Sequence, residues 1–173
     1  MGTTEFEGQR LSESRMPELG TYGSKGARGG DAPKLPTDSI QFKLCDIQGR
    51  LFERSTAYAS EAFIRDFMNS KVAEHLDAPY NKLQWMGEEY LSEELNDEKK
   101  LSTEGDKYDP EILYWIGYLY RYWACSRGEK SRSIYRQAPA KTMLRNYMAL
   151  HSVDPEIAIE DLLEIGRQRK KNK

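Results

Sequence analysis

Large apolar side chains recur along most of this chain at intervals of three, four and seven residues, the spacing that gathers them on one face of an α-helix. Ile40, Leu44, Ile47, Leu51 and Tyr58 form the first such stripe. It predicts a helix over about 38–57, with Asp38 as N-cap and Gln41 at capping-box distance. Gly49 falls inside it, at a cost of about 1 kcal/mol relative to Ala. Ile40, Phe42 and Leu44 also alternate as a strand would, but nothing nearby offers a partner strand and the helix is preferred. A second stripe, Phe63, Ile64, Phe67, Met68, Val72 and Leu76, predicts a helix opened by Ser60 and closed by Asp77, Ala78 and Pro79. A third helix, about 80–96, sets Leu83, Met86, Tyr90, Leu91 and Leu95 against the acidic outer face of Glu88, Glu89, Glu93 and Glu94. Residues 96–108 are polar, contain Gly105 and predict a loop.

The fourth helix has the strongest start signal. Asp109 offers a capping oxygen, Pro110 lacks only an N–H that would be unpaired there, and Glu111 suits the positive end of the helix dipole. Ile112, Leu113, Trp115, Ile116, Leu119, Tyr120 and Trp123 surround much of its circumference, so it belongs at the centre of a bundle, and it stops near Gly128. Trp115 and Trp123 are expected in the core. Ser131 opens a short fifth helix to about Gln137, and Pro139 starts a sixth carrying Met143, Leu144, Tyr147 and Met148. Asp154, Pro155 and Glu156 repeat the start signal for a last helix, with a basic tail at 167–173. The expectation is all-α: a single compact bundle of six or seven helices over 37–166.

Residues 1–36 differ. Seven of the chain's thirteen glycines lie there, with Pro17, Pro33, Pro36 and few apolar side chains. Such a segment buries too little apolar surface to offset its ordering entropy, so a flexible tail is expected. The 38% apolar content of the whole chain is enough for a core. No run approaches the roughly 18 apolar residues of a membrane span, and the start MGTTEFEGQR is unlike a signal peptide. A soluble cytoplasmic protein is expected, with Cys45 and Cys125 as reduced thiols.

Catalytic signals are sparse. His75 and His151 have no partner ligand at helical spacing, so no metal site is expected. Cys125 with either histidine would make a nucleophile and base, but no known signature surrounds it. Phosphate-binding loops, dinucleotide fingerprints and nucleophile elbows are missing, so nothing implies a cofactor or an enzyme. The distribution of charge is more informative. Between Gly87 and Asp109 nine acids face three lysines; between Pro110 and Val153 seven bases face two acids, interleaved with Tyr118, Tyr122, Tyr135 and Tyr147. Arginine and tyrosine are enriched at interface hot spots, and a basic aromatic face also suits nucleic acid.

The runs LCDIQG (44–49), FMNS (67–70), WMGEEYL (85–91), YWIGYLYRYW (114–123), IYRQAPAKTM (134–143) and HSVDPEIAIE (151–160) resemble, as an ordered set, a family of small bacterial helical proteins. The resemblance covers about 38–165. Members of that family are often encoded beside ADP-ribosyltransferase-like toxins, which implies an antitoxin whose partner is the cognate toxin. A protein competing for such a cleft, built to hold an anionic dinucleotide, would present arginine and aromatic groups. The partner-binding residues expected on this basis are Tyr118, Arg121, Tyr122, Arg132, Tyr135, Arg136 and Lys141, with His151 behind them. The alternative is a nucleic-acid-binding regulator that contacts operator DNA through the same face or the basic tail. No helix-turn-helix is legible and the net charge is −2, which weigh against it.

Overall fold

By its internal contacts the chain divides into Met1–Pro36 and Thr37–Lys173. The computed structural model describes residues 35–172, and the expected flexible tail lies outside them apart from Leu35 and Pro36. The described residues are all-α. They form α1 (Leu35–Glu53), a 3-10 turn (Arg54–Ala57), α2 (Ser60–Met68), α3 (Lys71–Asp77), a second 3-10 turn (Lys82–Trp85), α4 (Glu88–Glu98), α5 (Pro110–Arg127), α6 (Ser131–Gln137), α7 (Ala140–Leu150) and α8 (Pro155–Lys171). Among them no helix is long and apolar enough to cross a membrane.

Among the described residues eight α-helices stand where six or seven are expected: one predicted helix divides into two, and another gives up its first part to a 3-10 turn. The stripe from Phe63 to Leu76 breaks at Asn69 and Ser70. The Ser70 hydroxyl accepts from the Ala73 N–H and donates to the Phe67 carbonyl, so it caps the second piece and ends the first. Ser70→Ala is expected to cost about 1 kcal/mol, read as a lower urea midpoint with an unchanged slope. The helix expected over 80–96 divides at Met86 and Gly87, behind Tyr80 in the left-handed region (φ 62) and a 3-10 turn capped by Asn81.

Other caps differ in detail. α1 begins at Leu35, before Asp38. Ala59 rather than Ser60 is the N-cap of α2; the Ser60 hydroxyl accepts instead from the Tyr108 N–H at 2.8 Å. Asp109 makes no side-chain cap, whereas Asp154 accepts from the Glu156 N–H at 2.9 Å. The polar connection before α5 is pinned along the start of α2, where the Ala59 and Ser60 N–H groups donate to the carbonyls of Ser102 and Asp106. Gly105 completes that strap at φ 139, with a hypothetical Cβ only 2.9 Å from that of Ala59. The expected basic tail is in fact helical to Lys171. Glu164 accepts from Arg167 and Gln168 one turn on, and cations suit a helix C-terminus.

α5 runs through the middle, as its apolar circumference predicts: Leu113, Ile116, Leu119, Tyr120, Trp123 and Ala124 are buried. Trp123 is wholly enclosed and donates its indole N–H to Glu129. Trp115 is only part-buried, packed edge-on against Tyr147. A second aromatic nucleus joins α1 to α2, where the Phe52 ring meets Phe63 and Phe67 edge to face at 5.4 and 5.1 Å. Such pairs contribute beyond the area they bury.

Candidate functional site

Three of the expected interaction residues, Tyr118, Arg121 and Tyr122, lie on α5, which crosses α1. Two glycines make that crossing close. A Cβ on Gly117 would stand 2.6 Å from the Gln48 carbonyl oxygen, and one on Gly49 2.7 Å from the Tyr114 ring. Gly49, which looks like a helix defect in the sequence, is therefore the seat of Tyr114. The Gln48 amide donates to the Gly117 carbonyl at 3.1 Å, and the Tyr114 hydroxyl donates to Asp46 at 2.8 Å. The LCDIQG and YWIGYLYRYW runs are thus two halves of one contact.

Beneath it lies a buried ionic network. Arg121 is 0% exposed. Its Nε donates to Gln48 Oε1 (2.8 Å), Nη1 to Asp77 Oδ1 (2.8 Å) and Nη2 to Ser131 Oγ (3.2 Å). Asp77 also accepts from the Ser131 N–H and hydroxyl, both at 2.7 Å. One guanidinium and one carboxylate so tie together α1, the end of α3, α5 and the start of α6. Among the described residues no buried side-chain nitrogen or oxygen is left without a hydrogen-bond partner, the condition under which a buried charge is tolerated. Arg121 is accordingly a correction to the sequence expectation. Being enclosed, it cannot contact a partner, and its role is to hold helices together.

Above the network Tyr114, Tyr118 and Tyr122 stack along α5 with ring centroids 6.1 and 6.5 Å apart. Phe42 of α1, 52% exposed, lies 6.3 Å from Tyr122. Burial raises all three phenols, those of Tyr114 and Tyr122 to about 12, helped by the carboxylates of Asp46 and Glu156 respectively. The ladder is neutral at any physiological pH. Tyr118 and Tyr122 are expected here from the sequence. Tyr114 shares their four-residue period and was legible on that ground, whereas Phe42 carries no local signal.

The remaining expected residues do not join them. Arg132 is exposed at the far end of the network, its guanidinium 3.4 Å from the Asn69 carbonyl. Tyr135 is half-buried, its phenol raised by burial, with Arg65 and Glu61 nearby. Lys141 pairs with Glu61 at 3.6 Å across the α2–α7 contact. Arg136 lines a groove of about 470 Å³ between α6 and α8, together with Arg167, Arg169 and Lys170. The expected single face is therefore three: a tyrosine ladder, a mixed-charge seam along α2, and a basic groove. His151 stacks on Tyr147 at 4.7 Å, apart from all three.

No family model, curated protein or solved structure matches this chain.

The charge blocks do not neutralise each other. The acidic block is met by Arg54, which bonds Glu88 at 3.3 Å and also Glu89. Glu88 is buried by that contact and is not part of a solvated face. Bases of the second block turn to acids of α2, α3 and α8: Arg121 to Asp77 at 2.8 Å, and Lys141 to Glu61 and Arg127 to Glu156 and Glu160 at 3.6 Å each. Among the described residues, no group of three or more His, Cys, Asp or Glu side chains is placed to hold a metal ion.

Proposed function

We propose that this chain is a non-enzymatic, antitoxin-like interaction protein of the bacterial cytoplasm that binds and neutralises a cognate toxin enzyme of the ADP-ribosyltransferase type, with the α1–α5 aromatic face as its contact surface. The observation that carries this reading is the stacked ladder of Tyr114, Tyr118 and Tyr122 with half-exposed Phe42 beside it. Tyrosine supplies large amphipathic contact area with few torsions to freeze. Here the rings are already oriented by one another, by Asp46 and by the network below, so binding loses little further entropy. The toxin identity rests on the family resemblance of the quoted runs.

Co-expression with the adjacent toxin gene tests it. Wild-type protein relieves growth arrest and copurifies with the toxin. Phe42→Glu and Tyr118→Ala, which change the face and leave the network intact, weaken the complex at least about 30-fold, as truncation of hot-spot aromatics does. Absence of both relief and copurification overturns the reading.

A second reading, a nucleic-acid-binding regulator, is favoured by the groove in which Arg136, Arg167, Arg169 and Lys170 converge. There Arg136→Glu with Lys170→Glu abolishes a low-salt mobility shift on the upstream DNA, whereas the tyrosine variants do not change it. No retardation of that DNA at low salt removes this reading.

A further inference from the structure

The groove between α6 and α8 is a concavity of about 470 Å³, within the roughly 300–1,000 Å³ of small-molecule sites. Arg136 stands on its α6 side, and Arg167, Arg169 and Lys170 on its α8 side. Gly166 lets the two helices approach there, since a Cβ on it would lie 3.3 Å from the Gln137 carbonyl oxygen.

The charge balance inside the groove is one-sided. The chain has 28 acids to 26 lysines and arginines, yet no acid lines this groove. Two acids bond to lining residues from outside. Glu129 accepts from the Gln137 amide at 2.7 Å and from the Trp123 indole, and Glu164 accepts from Arg167 at 3.0 Å. Arg167 is thereby partly neutralised, but the other three cations are not. Arg169 donates to the Thr142 hydroxyl, a neutral partner that orients the guanidinium without cancelling its charge. Among the described residues Arg136 and Lys170 have neither a hydrogen bond nor an ion pair. Pro139, also in the lining, is the N-cap of α7, a helix with no acid in its first turn, so the dipole adds the same sign. Like charges held this close repel one another, and an anion seated between them turns that repulsion into attraction.

We infer that the α6–α8 groove is a binding site for a compact diphosphate group, either free or carried by a nucleotide. Guanidinium groups pair with phosphate oxygens in bidentate fashion, and a lysine adds a point charge. One phosphate brings about −2 at neutral pH and leaves part of the three unmatched charges unmet; two linked phosphates meet all of it. Pro139 and Leu163 add apolar surface on which the rest of a nucleotide packs. Duplex DNA spreads its charge along a wide rod, which touches the rim of such a concavity without filling it. The site does not depend on the toxin contact, and it gives the groove to a small ligand where the DNA reading gives it to a duplex.

Isothermal titration calorimetry of the full-length chain with pyrophosphate, ADP and sulfate at matched ionic strength tests the assignment. Pyrophosphate binds once per chain, at least about tenfold more tightly than sulfate. A still tighter ADP identifies a nucleotide as the source of the group, and a weaker one the free anion. Arg136→Glu and Lys170→Glu, both at exposed positions, each weaken pyrophosphate at least about tenfold. The same charge reversal outside the groove, Lys82→Glu or Lys100→Glu, changes its affinity by less than about twofold. Thr142→Val removes the hydroxyl that orients Arg169 and weakens pyrophosphate about threefold, because the guanidinium is no longer held in place. The proposal is overturned by no heat at millimolar pyrophosphate, by equal affinity for sulfate, or by an affinity unmoved by Arg136→Glu or Thr142→Val. It is also overturned if the groove variants abolish a DNA shift that millimolar pyrophosphate does not compete away, in which case the groove belongs to the duplex.

Discussion

Asp77→Asn lowers the free energy of unfolding by about 3–5 kcal/mol, the usual cost of removing one partner from a buried ion pair. Arg121 has no exposed surface, so its guanidinium cannot turn to water when the carboxylate is lost. The substitution also introduces an N–H donor. One carboxylate oxygen of Asp77 accepts from the Ser131 N–H and the other from Arg121 Nη1 and the Ser131 hydroxyl. An amide presents a donor at one of those places, facing donors. Replacing both partners, Asp77→Leu with Arg121→Met, removes the charges together and costs less than the sum of the two single changes. Urea denaturation of the four proteins in that cycle checks the sign and size of the coupling. Equal midpoints for wild type and Asp77→Asn would show that the pair does not hold the four segments together.

Gly117→Val destabilises by about 3 kcal/mol, at the upper end of what overpacking costs. In an open helix replacing a glycine by alanine is favourable by about 1 kcal/mol, through the conformational entropy of the unfolded chain, and by valine less. Here the added carbon would lie 2.6 Å from a backbone oxygen of α1 and 2.8 Å from the Phe52 ring carbon, and neither can step aside without moving the helix. Shifting α1 stretches the bond from the Gln48 amide to the Gly117 carbonyl, and with it the Gln48 contact to Arg121. Gly49→Ala is milder. Its added carbon meets the Tyr114 ring, a side chain that swings away at the cost of its hydrogen bond to Asp46. Thermal midpoints in the order wild type, Gly49→Ala, Gly117→Val are expected; Gly117→Val above wild type would show that the crossing is loose.

Helix positions were legible where local chemistry is decisive. The starts at Asp109-Pro110 and Asp154-Pro155, the stop at Gly128 with φ 66, and the short helix from Ser131 to Gln137 all depend on residues within one turn of the boundary. Period alone misled in the stretch from Phe63 to Leu76. One apolar stripe there serves two helices, and only the Ser70 side chain, turned back on its own backbone, marks the break. Composition likewise located a basic aromatic segment but scattered its residues over three faces, because charge counts carry no direction.

Arg121 is the clearest case. In the sequence it shares a basic aromatic segment with Tyr118 and Tyr122, and an arginine is ordinarily exposed. It is buried because its partners arrive from elsewhere: Asp77 from 44 positions away and Gln48 from 73. Periodicity, caps and turn residues are short-range, so the order of residues settled the all-α class, most helix boundaries and the central place of α5. The buried ion network, the glycine-seated crossing and the tyrosine ladder with Phe42 needed the packed chain. Each is a contact between segments whose separation along the backbone leaves no local trace.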